Sequence, residues 1–356
     1  MMRPSRCVDS RPVNMPVIEI LRYFGAVIAT LAIAAGAVWG ALALWFKWSA
    51  TRAWTALSVA LWTAFWFVVI VVFWRGHAVA ALIALAAGWI VFAGWWSSLK
   101  PSNNRAWNDD VARLLAGVVN GDVVTLTNLR DFEWRTRTDY TTRWQTRSFD
   151  LRRLRSLDLI LSYWAGPAIA HTLVSFGFDD GEHVVFSVEV RRWKGAVFSE
   201  IGGFFKIYEL SIVAATERDV IRVRTNVRGE DDYLYRVRMP LGTLRELFVA
   251  YVEAANRLVE VPRFYNTITA NCTTIIYQMV SRIVGRLPLS HRLLLSGYLP
   301  EYLYALGALD QRYPLSELRS HGRLRERALA ADRSVAFSAE IRRGIPELSE
   351  SSASEA

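Results

Sequence analysis

Residues 265–276 read YNTITANCTTII, a polar and β-prone run that gives way to an apolar helical pattern. The apolar residues from this run onward have the three- and four-residue spacing of a helix: Ile275, Ile276, Met279, Val280, Ile283 and Val284. Thr269, Ala270 or Asn271 would cap this helix and place Cys272 in its first turn. The sequence therefore predicts a cysteine at the N-terminus of an amphipathic helix.

Cys272 is the only cysteine outside the extreme N-terminus, where Cys7 lies, so no disulfide framework is expected. Unpaired N–H groups and the helix dipole favour a thiolate in the first turn of a helix. This placement is what a cysteine nucleophile requires. The alternative is a small buried hydrophobic residue, because cysteine is among the most buried residue types.

The chain of 356 residues is 53% hydrophobic, and three long apolar runs account for much of that fraction. After an N-terminal tail (residues 1–22), residues 23–46, 53–74 and 77–96 are each long enough to cross the ~30 Å hydrocarbon layer as a helix. Tryptophans crowd towards the ends of these runs, as in interfacial aromatic belts. A buried helical bundle is the alternative, but the lengths and the short connections favour three transmembrane helices within residues 23–100.

The net charge of +9 suggests nucleic acid or an anionic surface as a partner. Beside membrane spans, anionic lipid headgroups explain this charge best, and the sequence has neither zinc-finger spacing nor a phosphate-loop motif. Membrane lipids are therefore the expected partner, and nucleic acid is not. Basic residues are balanced across the three spans, so charge does not decide the orientation. An odd number of spans places the two ends of the chain on opposite sides.

Residues 101–345 predict one α+β domain in which an antiparallel sheet packs on helices. Its strand candidates are residues 157–164, 169–178, 184–192, 205–214, 220–226 and 233–239. Residues 132–149 read as an exposed segment. Apolar spacing from Leu244 predicts a helix before the Cys272 helix. Residues 346–356 read as a disordered tail.

His171 is the histidine best suited to act as a base for Cys272, because it opens an apolar strand. Imidazole is the usual base because its pKa lies near neutrality. The alternative is a core histidine whose nitrogens bond the backbone. Glu189 is the candidate for a third group that orients the imidazole, and the alternative for Glu189 is an ion pair with Arg191 or Arg192.

The role of Glu189 depends on strand register. If Asp179 pairs with His183 around a three-residue loop, Glu189 faces Leu173 and lies diagonal to His171, about 7–8 Å away by backbone. A shift of one residue would send Glu189 to the other face of the sheet. We expect the register in which Asp179 pairs with His183.

Four segments together resemble the Lnb N-terminal periplasmic domain family. They are YWAGPAIAHT (163–172), FSVE (186–189), FFKIYEL (204–210) and the run at 265–274. The resemblance covers about residues 104–345. It implies a papain-like thiol enzyme in permuted order, with the histidine strand before the cysteine helix, and it carries over His171 as base and Cys272 as nucleophile. The periplasmic setting of the family implies a periplasmic C-terminal domain on a bacterial inner-membrane anchor.

The family takes its name from lipoprotein N-acyltransferases, so the expected function is a thiol acyltransferase or hydrolase acting on a lipoprotein or lipid-linked substrate. Cys272 would attack an ester or amide carbonyl, His171 would move the proton, and Glu189 would hold the imidazole. No metal or organic cofactor is implied. A cell-wall peptidase or amidase is the rival enzyme, and a non-catalytic membrane-anchored binding protein is the rival outside enzymes.

The predicted topology can be tested with reporter fusions. A reporter that is active only in the periplasm should be active when fused after residue 345 and silent when fused after Arg75, because one span separates these points. The opposite pattern would place the α+β domain in the cytoplasm and exclude mature lipoproteins as substrates.

Overall fold

The computed structural model describes residues 17–47, 51–164 and 166–348, and these divide between Lys100 and Pro101 into two compact units. The first sixteen residues of the predicted N-terminal tail lie outside the described residues, as do residues 349–356 of the predicted C-terminal tail.

The first unit consists of three helices: α1 (Val17–Lys47), α2 (Arg52–Trp74) and α3 (Ala78–Ser98). All three are long and apolar enough to cross a membrane. Small residues let them pack closely: a Cβ on Gly40 of α1 would lie 2.4 Å from the Trp62 ring of α2. Trp62 also donates through Nε1 to the Ala37 carbonyl at 2.8 Å. Close aromatic packing against glycine therefore joins α1 to α2.

The described residues of the second unit form ten strands and seven α-helices. The strands are β1 (Ala116–Asn120), β2 (Val123–Arg130), β3 (Glu133–Trp134), β4 (Tyr140–Thr141), β5 (Trp144–Asp150), β6 (Leu154–Tyr163), β7 (Ala170–Phe178), β8 (His183–Arg191), β9 (Glu209–Thr216) and β10 (Asp231–Val237). The helices are α4 (Glu217–Arg222), α5 (Leu241–Glu260), α6 (Cys272–Val284), α7 (Leu299–Ala305), α8 (Leu315–Gly322), α9 (Arg325–Ala330) and α10 (Phe337–Glu340).

Seven strands form the main sheet in the order β1-β2-β9-β8-β7-β6-β10, and β5 pairs with β2 as its eighth strand. All pairs are antiparallel except β2 with β9. One face packs on α5 and α6, with Val174 and Phe248 in the same apolar core. The other face packs on α4, α9 and α10, where Leu173 contributes to a second core. The predicted α+β class, with a sheet packed on helices after three apolar helices, is confirmed.

The predicted register of β7 and β8 is wrong by two residues. Gly177 pairs with His183 and Leu173 pairs with Ser187, so the three-residue loop is residues 179–181 rather than residues 180–182. The physical reason is Gly181, which has φ +80° and takes the left-handed position at the end of the loop. A two-residue shift preserves the face, and the same register continued places Glu189 opposite His171.

Two other segment predictions are wrong. Residues 220–226 alternate like a strand but form the end of α4 and a π-helical turn, Val223–Arg228. Thr216 starts this helical segment because its side chain accepts from the Asp219 N–H. Residues 132–149 are not simply exposed, since Phe132 and Trp134 are buried and β3 to β5 lie within the segment.

The role of Gly181 predicts a stability difference. Gly181→Ala should lower the free energy of unfolding by about 1–2 kcal/mol, because a side chain is strained at positive φ. Gly242→Ala is the matched control, since Gly242 lies in α5 with open space around its Cβ position. Denaturant unfolding of the detergent-solubilised chain should place the control at or above wild type. Equal stability of the two variants would contradict the assigned loop.

Candidate active site

Cys272 is the first residue of α6, as the sequence predicts, and Asn271 is the cap. The Asn271 side chain accepts from the Thr274 N–H at 2.7 Å, and Thr274 Oγ1 accepts from the Asn271 N–H at 2.9 Å. The first intrahelical bond runs from the Ile275 N–H to the Asn271 carbonyl. The N–H groups of Cys272 and Thr273 precede that bond and therefore point out of the helix end.

The Cys272 thiol lies where two neighbouring strands separate. Pairing of β7 with β8 ends at Leu173 and Ser187, while β7 continues along β6 to Ala170 and β8 continues along β9 to Arg191. Cys272 Sγ lies 4.0 Å from Thr273 Oγ1, and the Thr172 N–H and the His171 imidazole are close enough to the thiol to lower its pKa. The structure thus places the His171 imidazole beside the Cys272 thiol, the pairing that the sequence predicts.

This opening also explains how the two groups meet. By strand alternation His171 shares its sheet face with Leu173, whereas Thr172 faces α6 and its Oγ1 lies 3.4 Å from Thr273 Oγ1. An imidazole on the face away from α6 can reach the thiol only where no paired strand intervenes. The separation of β7 from β8 therefore positions the pair.

The His171 imidazole is held by two groups on β8. His171 Nε2 lies 2.7 Å from Ser187 Oγ and 3.1 Å from Glu189 Oε1. Ser187 in turn donates to Glu189 Oε1 at 2.7 Å. Nε2–H can therefore donate to both oxygens, which leaves Nδ1 for the Cys272 thiol. Glu189 is beside the imidazole, as predicted, and is directly opposite rather than diagonal.

Glu189 is itself fixed by Arg224, which lies in the π-helical turn. Arg224 donates to Glu189 Oε1 at 3.1 Å and to Glu230 Oε2 at 3.1 Å, and its side chain is 8% exposed. The alternative ion pairs of Glu189 with Arg191 or Arg192 do not form. Arg191 donates to the carbonyls of residues 111 and 112, and Arg192 pairs with residue 110.

The charges of this site shift the pKa values of its members. Burial is the largest single effect and lowers the pKa of the His171 imidazole, but the Glu189 carboxylate and the Cys272 thiol together raise this pKa to about 9. Burial raises the pKa of the Cys272 thiol, but the hydrogen bond to His171 and the imidazolium charge lower it to about 7. Burial also raises the pKa of Glu189, yet His171 and Arg224 hold it well below its usual range. Between about pH 7 and about pH 9, the Cys272 thiolate and the His171 imidazolium coexist.

Further acidic groups lie behind the imidazole. Ser162 pairs with His171 across β6 and β7, and its hydroxyl contacts both Glu230 Oε2 and Asp232 Oδ1 at 2.5 Å. Asp232 is fully buried, and burial raises the pKa of its carboxyl to about 7. The negative charge near His171 is therefore spread over several strands, with Arg224 between the carboxylates of Glu189 and Glu230.

Sequence reasoning missed Ser187 and Arg224. Ser187 could have been found, because it is two residues from Glu189 and must share its sheet face in any register. Arg224 carries no such local signal. It reaches the site only because the segment after β9 forms a helical turn where its pattern predicts a strand.

Residues 140–297 match the family model of the Lnb N-terminal periplasmic domain, which confirms the resemblance predicted from the sequence. The matched region includes His171, Glu189 and Cys272 and leaves the three apolar helices outside. No curated protein and no solved structure matched the chain. Three apolar helices followed by a region similar to this periplasmic domain are the features of a membrane protein with a periplasmic C-terminal domain.

The arrangement predicts a pH profile for thiol alkylation. In the wild-type chain the rate of alkylation by a soluble reagent should rise with a midpoint near pH 7, because the thiolate reacts and its pKa is lowered to about 7. Glu189→Gln removes the charge that supports the imidazolium, so the midpoint should move to higher pH. Near neutral pH the rate should fall roughly fivefold to tenfold, which corresponds to a shift of about one pKa unit.

Ser187→Ala and the double variant complete this test. The alanine removes the 2.7 Å contact of His171 Nε2 but leaves the carboxylate, so its midpoint should shift less than that of Glu189→Gln. Combining Glu189→Gln with His171→Ala should cost little beyond His171→Ala alone, because residues that act as a unit are non-additive. An unchanged profile in Glu189→Gln would make the carboxylate a purely structural partner of Arg224.

Proposed function

We propose that this chain is a cysteine-dependent acyltransferase or hydrolase of the bacterial inner membrane, with a papain-like domain that acts on a lipoprotein or another lipid-linked substrate. The observation that carries the proposal is the position of Cys272 at a helix start beside His171, whose imidazole is paired with Glu189. A buried thiol with a lowered pKa, beside an oriented base, has the features of an activated nucleophile.

In the proposed first step the Cys272 thiolate attacks an ester carbonyl. A carbon–sulfur bond forms, the carbon–oxygen ester bond breaks, and the leaving alcohol takes the proton of the His171 imidazolium. The oxyanion between these events would be met by the N–H groups of Cys272 and Thr273 at the start of α6. The products of this step are a thioester on Cys272 and a neutral imidazole.

In the second step an acceptor attacks the thioester. An amine acceptor gives acyl transfer and water gives hydrolysis. In both cases the acceptor loses a proton to His171, the carbon–sulfur bond breaks, and the thiolate and imidazolium are restored. Glu189 supports both steps by stabilising the imidazolium, while Ser187 and Arg224 keep the carboxylate in place.

The lipid-linked substrate is inferred from the anchor. A domain joined to three apolar helices by a short connection meets lipids and lipoproteins at high local concentration. The family match also supports a lipid-linked substrate, because the family is named after lipoprotein acyltransferases. A peptidase or amidase would use the same residues on a cell-wall peptide, so substrate choice is the question that experiment has to answer.

Incubating the full chain in nanodiscs with a diacylated lipopeptide should yield an acyl adduct on Cys272, detected by intact-mass and peptide mass spectrometry. His171→Ala should slow adduct formation about 10²–10⁴-fold, the usual contribution of general acid–base catalysis. Cys272→Ala should abolish the adduct, and Cys7→Ser is the matched cysteine control that should retain it. An adduct formed only from a cell-wall peptide would select the peptidase. Reaction with neither substrate, together with slow alkylation at neutral pH, would favour a non-catalytic binding protein.

A further inference from the structure

Apolar side chains are exposed on the loops that lead into and out of the candidate active site. Five of these side chains are called the apolar rim here: Trp164, Val197, Phe198, Ile201 and Ile268. Trp164 follows β6 and precedes His171, residues 197–201 follow β8, and Ile268 precedes Cys272. Val197 is the most exposed of the five, at 86%. Each loop is thus a direct continuation of a segment that carries a site residue.

Contacts through Glu200 join these loops into one surface. Trp164 Nε1 lies 3.4 Å from Glu200 Oε1, and Thr267 Oγ1 donates to the Glu200 carbonyl at 3.3 Å. Gly203 packs so closely on Thr267 that a Cβ would lie 2.3 Å from its Oγ1. The rim is therefore a connected patch beside the Cys272 end of α6, not a set of scattered surface residues.

The exposure of the central loop is fixed by buried Tyr208. Its hydroxyl accepts from the Ser199 N–H at 2.7 Å and donates to the Val197 carbonyl at 3.1 Å. Because the backbone is held on both sides of Phe198, Val197 and Phe198 cannot simply fold into the core. A contiguous apolar patch that the fold keeps exposed marks an interaction surface.

The chain itself indicates what covers this surface. The central loop starts just after residues 192–194, which pair with the first residues of the sheet domain. The Asn108 N–H donates to the Arg192 carbonyl at 2.9 Å, and the Lys194 N–H donates to the Ala106 carbonyl at 2.7 Å. Only eight residues separate Ser98, the last residue of α3, from Trp107, so the nine Cα–Cα steps between them span at most about 32 Å. Since α3 is a candidate membrane span, the covalent chain keeps the rim within reach of a bilayer surface.

We propose that the apolar rim docks into the surface of the phospholipid bilayer, so that the Cys272 site opens onto membrane lipids. The side chains would enter the boundary between headgroups and acyl chains, where interfacial anchors sit about 5–10 Å deep. The acyl chain of a substrate could then reach Cys272 without leaving an apolar environment. This last consequence rests on the proposed function, whereas the docking does not.

The docking can be measured without any catalytic activity. In a Cys7→Ser, Cys272→Ala background, Val197→Cys carries an environment-sensitive fluorophore, and the full chain is reconstituted into phosphatidylethanolamine–phosphatidylglycerol nanodiscs. Lipids brominated on their acyl chains should quench the Val197→Cys label at least about twofold more than a label on Val335→Cys, as interfacial insertion requires. Val335 is the matched control because it is also valine and is fully exposed, in the loop between α9 and α10.

Two further measurements decide the interpretation. Placing Phe198→Asp beside the Val197→Cys label should abolish the difference in quenching, because a carboxylate opposes insertion into the membrane. A second label at Val119→Cys, on the exposed end of β1, should be quenched no more than the control. Equal quenching at all positions, or stronger quenching at Val119, would overturn the proposal. It would also be overturned if the fluorescence of the Val197→Cys label were the same with brominated and unbrominated lipids, because a second copy of the chain would then be what covers the rim.

The outcome is separable from that of the proposed function. In the catalytic chain, Phe198→Asp should slow adduct formation from a membrane-embedded lipopeptide several-fold while leaving alkylation of Cys272 by a soluble reagent unchanged. If brominated lipid quenches the label on the rim but the chain forms no adduct, the docking is supported and the proposed catalysis is contradicted. If the chain forms the adduct but the labels at Val197 and Val335 are quenched equally, the catalysis is supported and the docking is contradicted.

Discussion

A thiolate inside a protein is stable only where opposite charge and hydrogen-bond donors replace the water it has lost. In this chain the imidazolium of His171 and the N–H of Thr172 provide that replacement for Cys272. The imidazolium depends in turn on Glu189, and Glu189 is fixed by Arg224. Charges of alternating sign therefore run from the start of α6, through the sheet, to a helical turn after β9. Segments far apart in sequence must all be in place before the pKa of the thiol is lowered.

The parts of this site that the sequence predicted depend on short-range signals. Helical spacing after residue 272 and a capping residue before it place Cys272 at a helix start, and alternation in β7 and β8 places His171 and Glu189 on one face. The parts it missed are set by longer-range structure. The register of the hairpin depends on which residue Gly181 allows into the left-handed position, and Arg224 arrives through a helical turn whose sequence alternates like a strand.

The high apolar content of the chain also divides in a way that composition cannot reveal. Apolar residues of α1 to α3 meet the conditions for lipid contact, and Val174 and Phe248 fill the interior of the sheet domain. Trp164, Val197 and Ile268 belong to neither of these groups, because they stay exposed on a folded domain beside a polar site. The length of the apolar runs already separates the first group in the sequence, but only the structure separates the second from the third, since the same residue types serve in the core and at the surface.

The hairpin between β7 and β8 has a consequence for how the protein can vary. Exposed loops usually tolerate insertions and deletions. Here the number of residues between Phe178 and Glu182 decides which β8 side chains lie beside His171. With the strand pairing kept, adding or removing a single residue there would exchange Glu189 for one of its valine neighbours, and a change of two would bring Ser187 or Arg191 to its place. The length of this distant, solvent-exposed loop should therefore be restricted as strictly as the identity of residue 272.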